Sequence, residues 1–453
     1  MLRFLLQLAF AGTLFWHGTL ATAQQADISP NCLNYALSEK FDYLPDPLWM
    51  NRTLDPNEGR FLLNDDAARI LTHFTDVLRA NGKEVFFLPI PDTPQFAPQG
   101  EVLYGTTLER FEDLYHFLNA QMEDVGFTPI DLMWLAERNR STKDLHRNLD
   151  HHLLSRGRYL AAAQIAHRLG GASTLAPIHQ AENDYDDLAK EPFKVWKPTA
   201  LNFAIDACKS EIEALPFDEY VALPALETAG NLDADSLFGD VEEQDKIALL
   251  GTSQSLSAKG NLADFIAHFT QTDVMNFAEA GGGASAAIQF AAAEGVLTNP
   301  SYEQLIWEVS TDFDSAKLAG AALAGLGHAE PNCQTDDSFD SLGIVSGQFG
   351  KWFGIPADLT GGYVLALPNV DHQKGVVSLR FEFSNQPPFQ AEIWRWSQTQ
   401  DPGQLGDWKI MIPNFEAIGM AQPTSIAASF DGLYEYSPKG SLALEPKICA
   451  TNI

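Results

Sequence analysis

The sequence is poor in positive charge. Its 29 lysines and arginines face 60 aspartates and glutamates, for a formal net charge of -31. Such a surface repels nucleic acid, whose phosphates bind clustered cations, and this excludes a nucleic-acid partner. It also holds off a polyanionic polymer except at a local basic groove. Cysteine is scarce, with 4 in 453 residues. None stands in a C-x-x-C pair, which excludes the common zinc and dithiol motifs. There is no Walker pattern and no H-E-x-x-H, so neither a metal nor a nucleotide cofactor is expected. Beyond the N-terminus no apolar run approaches the about 20 residues that a membrane-crossing helix needs.

What is present begins with an export signal. Met1-Leu2-Arg3 gives a positive start, Phe4 to Leu20 is mostly apolar, and Ala21-Thr22-Ala23 fits an A-x-A cleavage site. Residues 1–23 are therefore expected to be a signal peptide that delivers a monomeric protein to the periplasm. In an exported chain, Cys32, Cys208, Cys333 and Cys449 suggest two disulfides. Three pairings are possible. Cys32–Cys208 with Cys333–Cys449 is favoured, because each bridge then closes one candidate domain.

The pattern along the chain alternates between strands and helices. Asn64-Asp65-Asp66 is an N-terminal cap signal before Ile70, Leu71, Phe74, Val77 and Leu78 at helical spacing. A strand is expected over 84–88, a helix over 108–122 and another over 157–169. Glu227 to Asp245 is acidic and poor in apolar residues, and reads as a loop. Strands over 247–250, 273–277 and 305–309 then alternate with helices over 261–269 and 284–293. Such βαβ units imply an α/β fold with a parallel sheet flanked by helices, placed over residues 24–330. Polar residues near 331–337 form a linker. Beyond it, Val377, Leu379, Phe381 and Phe383 alternate with Ser378, Arg380 and Glu382, and 363–367 is another strand. Residues 331–453 are expected to form a small all-β sandwich.

Three motifs carry chemistry. Ser253 follows a buried strand on the turn Gly251-Thr252-Ser253, at the sheet end where open α/β folds place active sites. A serine there often only caps the next helix. Free backbone N–H groups on the same turn, including that of Ser253, could stabilise an oxyanion. Asp150-His151-His152 is an Asp-x-His spacing that lets one local turn carry an imidazole and its orienting carboxylate. Asp144-Leu145-His146 is a competing pair without a well-placed helix behind it. Gly281-Gly282-Gly283 follows the next strand, so Gly281 could complete the oxyanion hole; a simple turn needing positive φ would also use glycine.

These residues resemble the alginate O-acetyltransferase family of AlgX and AlgJ, whose catalytic domain is SGNH hydrolase-like. The resemblance rests on G-T-S-Q-S at 251–255, N-F-A-E-A-G-G-G at 276–283 and D-H-H-x-x-x-x-G at 150–157, and on Ile306-Trp307-Glu308-Val309. The Asp-x-His precedes the serine, a rearranged order compared with ordinary SGNH esterases. The signal peptide, the four cysteines and the β-rich end point to the AlgX type, with a C-terminal carbohydrate-binding module. The resemblance implies Ser253 as nucleophile, His152 as base, Asp150 as its orienting carboxylate and Gly281 as an oxyanion donor. It implies acetyl transfer to an exported polysaccharide, a membrane-bound O-acyltransferase as acetyl donor, and export-complex partners. In the region comparable to that carbohydrate-binding module stand Trp394, Arg395, Trp396 and Lys409. The two tryptophans, at i and i+2, share one strand face as a sugar platform or as sandwich core. Leu153 and Leu154 replace the family's Trp-Thr after the histidine. A carbohydrate acetylesterase with the same triad and a non-catalytic polysaccharide-binding scaffold are the alternatives.

Overall fold

The computed structural model describes residues 62–91, 108–142, 145, 152–170, 181, 246–256, 261–281, 283–311, 314–329, 374–396 and 408–431. It also describes the short strands at 41–45, 48–52, 192–196, 218–221, 340–341, 345–347, 353–355, 363–367, 442–444 and 447–450. Residues 1–23, Asp144, His146, Asp150, His151, the 227–245 loop and the 331–337 linker lie outside these. So do the side chains of all four cysteines, and with them the expected disulfides.

In chain order, a hairpin of β1 (Phe41–Pro45) and β2 (Leu48–Arg52) precedes α1 (Asp65–Ala80), β3 (Glu84–Ile90) and α2 (Leu108–Asp124). Next come β4 (Thr128–Pro129), α3 (Met133–Thr142), α4 (Ser155–Leu169) and the antiparallel pair β5 (Pro192–Trp196) and β6 (Asp218–Val221). Then follow β7 (Lys246–Leu250), α5 (Leu262–Thr270), β8 (Asp273–Asn276), α6 (Ala286–Ala293), β9 (Gln304–Ser310) and α7 (Ser315–Ala329).

Local chemistry explains where these elements start and stop. The Asn64 side chain accepts the Ala67 N–H at 2.8 Å, and Asp65 and Asp66 sit in the first turn of α1, where carboxylates complement the helix dipole. Ile70, Leu71, Phe74 and Leu78 form its buried stripe. Gly82, at φ +75°, turns the chain out of α1 into β3.

The central sheet runs β4-β3-β9-β7-β8 with every pairing parallel. The last of its strands in sequence, β9, is thus the middle one in space. Side chains alternate across it. On one face Leu305, Trp307 and Val309 join a core with α1, α6 and α7. There the Trp307 ring lies 6.2 Å from Phe74, 6.2 Å from Phe87 and 5.6 Å from Phe127 between centroids. On the other face Ile306 packs with Leu249, Phe86, Leu160 and Phe265 under α4 and α5. Helices on both faces leave the strand ends as the accessible rim.

The C-terminal region is antiparallel β. Its strands are β10 (Asp340–Ser341), β11 (Val345–Gly347), β12 (Phe353–Ile355), β13 (Tyr363–Leu367) and β14 (Lys374–Glu382). They continue with β15 (Phe389–Trp396), β16 (Trp408–Ile412), β17 (Ser425–Asp431), β18 (Leu442–Leu444) and β19 (Lys447–Ala450). Two four-stranded sheets run β10-β19-β13-β16 and β12-β17-β14-β15, and β11 pairs with β18. Val377, Leu379 and Phe381 point inward as their alternation predicts. Ser378 is buried as well, and Phe383 lies just past the strand end, half-buried.

Helix α7, which the periodicity does not predict, joins the two regions. It is apolar nearly all round and buried nearly throughout. Gly320 and Gly327 lie seven residues apart, on one face. A Cβ on Gly320 would collide with the Glu392 carbonyl of β15, and one on Gly327 would come within 2.6 Å of the Lys409 carbonyl of β16. Glycine at both positions lets the helix lie directly on strand backbone.

Candidate active site

The site gathers at the carboxyl ends of β7 and β9. Leu250 ends β7 and the chain turns through Gly251, Thr252 and Ser253. His152 sits just before α4 and is 4% exposed. Its Nε2 lies 2.8 Å from Ser253 Oγ, across 101 residues of sequence. With Nε2 unprotonated, the serine hydroxyl donates to it, a geometry in which the imidazole can accept the hydroxyl proton.

Two contacts hold these loops together. Leu153 N–H donates to Gln254 Oε1 at 3.1 Å, tying the residue after the histidine to the residue after the serine. Leu154 N–H donates to the Leu145 carbonyl at 2.9 Å. A Cβ on Gly157 would strike that same carbonyl. The glycine five residues after the histidine is therefore a close-approach position. The turn after β8 is fastened likewise: Phe277 N–H donates to Leu249 O at 2.9 Å and Glu279 N–H to Gly251 O at 3.0 Å. Asn276 Nδ2 donates to Ser255 O at 2.7 Å.

Beneath the serine turn lies a group to which the sequence assigned no role of its own. Glu308, on the central strand β9, is 1% exposed. Its Oε2 accepts the Thr252 N–H at 2.6 Å and its Oε1 accepts the Thr252 hydroxyl at 2.9 Å. Burial pushes its carboxyl up to about 7; the Thr252 bonds, the Ser255 hydroxyl and the charge of Arg158 on α4 pull the other way. The available signal was a single carboxylate inside Leu305-Ile306-Trp307-Glu308-Val309, a strand buried on both faces, where an acid must be satisfied.

Of the other expected residues, Gly281 is exposed with φ +74°, a backbone conformation that favours glycine. Trp394 is half-buried and belongs to β15. It reaches the glycine turn: a Cβ on Gly283 would come 3.3 Å from its Cβ and Cγ. Its backbone is clamped there too. Ser285 Oγ donates to the Trp394 carbonyl at 2.8 Å, Gln289 Nε2 donates to it at 2.9 Å, and the Trp394 N–H donates back to Ser285 Oγ at 2.7 Å. Arg395 and Trp396 continue β15 opposite Gly375 and Lys374. Among the described residues no cluster of three or more His, Cys, Asp or Glu could hold a metal ion. None of the described helices is long and apolar enough to cross a membrane.

A histidine and a serine joined at the rim of a parallel sheet, with the histidine loop earlier in the chain, set the frame for comparison with known proteins. Residues 45–311, more than half of the chain, match the family described as SGNH hydrolase-like domain, acetyltransferase AlgX. The chain belongs to this family. It is also 38% identical over 100 residues to the alginate biosynthesis protein AlgX of Pseudomonas aeruginosa. That match covers 22% of this chain and 20% of the relative, so it spans about a fifth of the relative's length. The solved structure of Pseudomonas aeruginosa AlgX superposes with a TM-score of 0.60 at 18% identity, covering 94% of this chain and 99% of that one. At that identity the superposition speaks for a shared fold. It extends the likeness from the SGNH hydrolase-like part into the antiparallel β region.

Proposed function

We propose that this protein is a periplasmic O-acetyltransferase that acetylates hydroxyls of an exported polysaccharide, alginate or a polymer like it. The observation that carries the reading is the 2.8 Å approach of His152 Nε2 to Ser253 Oγ in a chain of the AlgX family. In this reading Ser253 Oγ attacks the acetyl carbonyl of a donor while its proton passes to His152. The leaving group takes that proton, and acetyl-Ser253 remains. A sugar hydroxyl then gives its proton to His152 and attacks the acetyl carbonyl; the bond to Ser253 Oγ breaks, and His152 returns the proton to that oxygen, restoring the serine hydroxyl.

Asp150 is assigned to orient His152, and the Ser253 and Gly281 N–H groups to hold the oxyanion. The donor is a membrane-bound O-acyltransferase that hands on acetyl groups. Residues 1–23 direct export, 24–330 form the catalytic part and 331–453 the carbohydrate-binding part. Trp394, with Arg395 and Trp396, is assigned to the sugar chain. Support for Trp394 comes from its contact with the Gly283 turn, which belongs to the catalytic part.

The test is a reaction with a chromogenic acetyl ester and a panel of oligosaccharides, read by mass. Acetylated oligosaccharide supports transfer to sugar. Free acetate alone, with every acceptor, would replace this reading with an esterase.

A further inference from the structure

Four consecutive backbone amides follow Gly251, and three of them are already bound. Thr252 N–H donates to Glu308 Oε2 at 2.6 Å, Gln254 N–H to Thr252 Oγ1 at 3.3 Å and Ser255 N–H to the Thr252 carbonyl at 3.1 Å. Among the described residues, the Ser253 N–H alone in this run has no acceptor. The residue before the nucleophile thus spends its amide, its hydroxyl and its carbonyl on holding the turn. Two of those three groups are gripped by, or shared with, the Glu308 carboxylate.

The fit at Glu308 is close. A Cβ on Gly251 would come 2.8 Å from Glu308 Oε2 and 2.7 Å from Ser255 Cβ, so only glycine lets the carboxylate close onto the turn. Thr252 is 7% exposed and Glu308 1% exposed, so water does not substitute for these bonds. A carboxylate taken out of water costs several kcal/mol unless bonded. A buried acid on the middle strand is an expensive way to stabilise a fold, and hydrophobic residues of that size would pack there at less cost.

We propose that Glu308 is a positioning residue: its two-oxygen grip on Thr252 fixes the serine turn so that Ser253 Oγ meets His152 and the Ser253 N–H stays open to the oxyanion. This rests on Ser253 being the nucleophile. Glu308 touches neither donor nor acceptor; it acts through Thr252. Its raised titration range is the cost of holding the acid in this dry position.

The experiment compares wild type, Glu308→Gln, Thr252→Val and the double variant, all in the full-length chain. Glu308→Gln keeps shape and loses the second acceptor oxygen. Thr252→Val keeps the N–H bond to Glu308 and loses the hydroxyl. The readouts are kcat and KM for a small chromogenic acetyl ester, the rate of Ser253 labelling by a small sulfonyl fluoride, and the melting curve. Each single variant should lose about 10- to 100-fold in kcat and in labelling rate, as sub-ångström misplacement does, with KM changed by about twofold or less. The double variant should be little worse than the poorer single one, because both cut the same brace. Unchanged kcat in Glu308→Gln would overturn the proposal, as would losses that multiply in the double variant. If Glu308→Gln fails to fold, Thr252→Val decides: unchanged kcat overturns the proposal, and a kcat loss without a KM change upholds it. Absence of labelling at Ser253 in folded wild type would instead overturn the nucleophile assignment, and this inference with it.

Discussion

The two regions of the molecule are held together by different means. In the α/β region, the contacts that join the serine turn to the histidine loop and to β9 run through side chains: His152 to Ser253, Gln254 to the Leu153 amide, Glu308 to Thr252. Where the β region meets it, several contacts run through backbone. Gly320 and Gly327 lie on the strand backbone at Glu392 and Lys409, and Ser285 and Gln289 grip the Trp394 carbonyl. A side-chain contact can be edited while the fold stays in place. A backbone contact enabled by glycine cannot, because any added atom strikes the chain itself. Changes at the first set should therefore alter chemistry at constant stability, and changes at the second should alter stability at constant chemistry.

The sharpest way to break this comparison is Ser253→Ala. Turnover of an acetyl ester should fall by about a thousandfold or more, with an unchanged melting curve. A comparable loss of stability would mean that the site and the fold are not separable. From the other side, Gly320→Val drives a side chain into the Glu392 carbonyl and should cost about 3 kcal/mol in a denaturant melt, the upper range for overpacking. Molecules still folded should label at Ser253 at the wild-type rate.

Glu308 straddles the comparison, being both chemical and buried. Its carboxyl is raised from an ordinary 4.5 to about 7 in the fold. Its contribution is therefore fully present below about pH 4.5 and is lost as pH rises through about 7. Wild type should lose on the order of 2 kcal/mol relative to Glu308→Gln between pH 4.5 and pH 8, measured as the difference between their denaturation midpoints. Parallel pH profiles of the two proteins would show that Glu308 does not titrate there. The smallest effect belongs to the start of α1, where the Asn64 cap takes part in neither set of contacts. Asn64→Ala removes the cap on Ala67 and should cost about 1 kcal/mol without touching ester turnover.

What could be read from the sequence follows the same division. Strands β3, β7 and β9 were legible because each is a short apolar run between turn residues. Ser253 and His152 stood out because each lies in a short turn beside a regular element, Ser253 on the turn after β7 and His152 on the loop before α4. The α4 helix starts at Ser155, two residues earlier than glycine at 157 suggested; that glycine marks a close approach, not an end. Helix α7 was hidden by its composition. Its Gly and Ala residues weaken the apolar stripe, and burial on nearly all sides removes the polar face that periodicity relies on. Helix α3, with its polar run at 137–142, offered no stripe either. Glu308 was assigned no role of its own within its apolar strand, since that role depends on β9 lying beside β7, a neighbour relation set by sheet order. The meeting of Trp394 with Gly283 depends likewise on how the β region docks on α6 and α7.

The acyl-transfer reading is tested most directly by trapping the intermediate. Folded protein is mixed with an excess of acetyl ester, quenched in acid within the first turnover, and read by intact mass and peptide mapping. One acetyl group on Ser253 is expected, absent from His152→Ala under the same conditions. An acetyl group on another residue, or rapid ester turnover with Ser253 never modified, would contradict it.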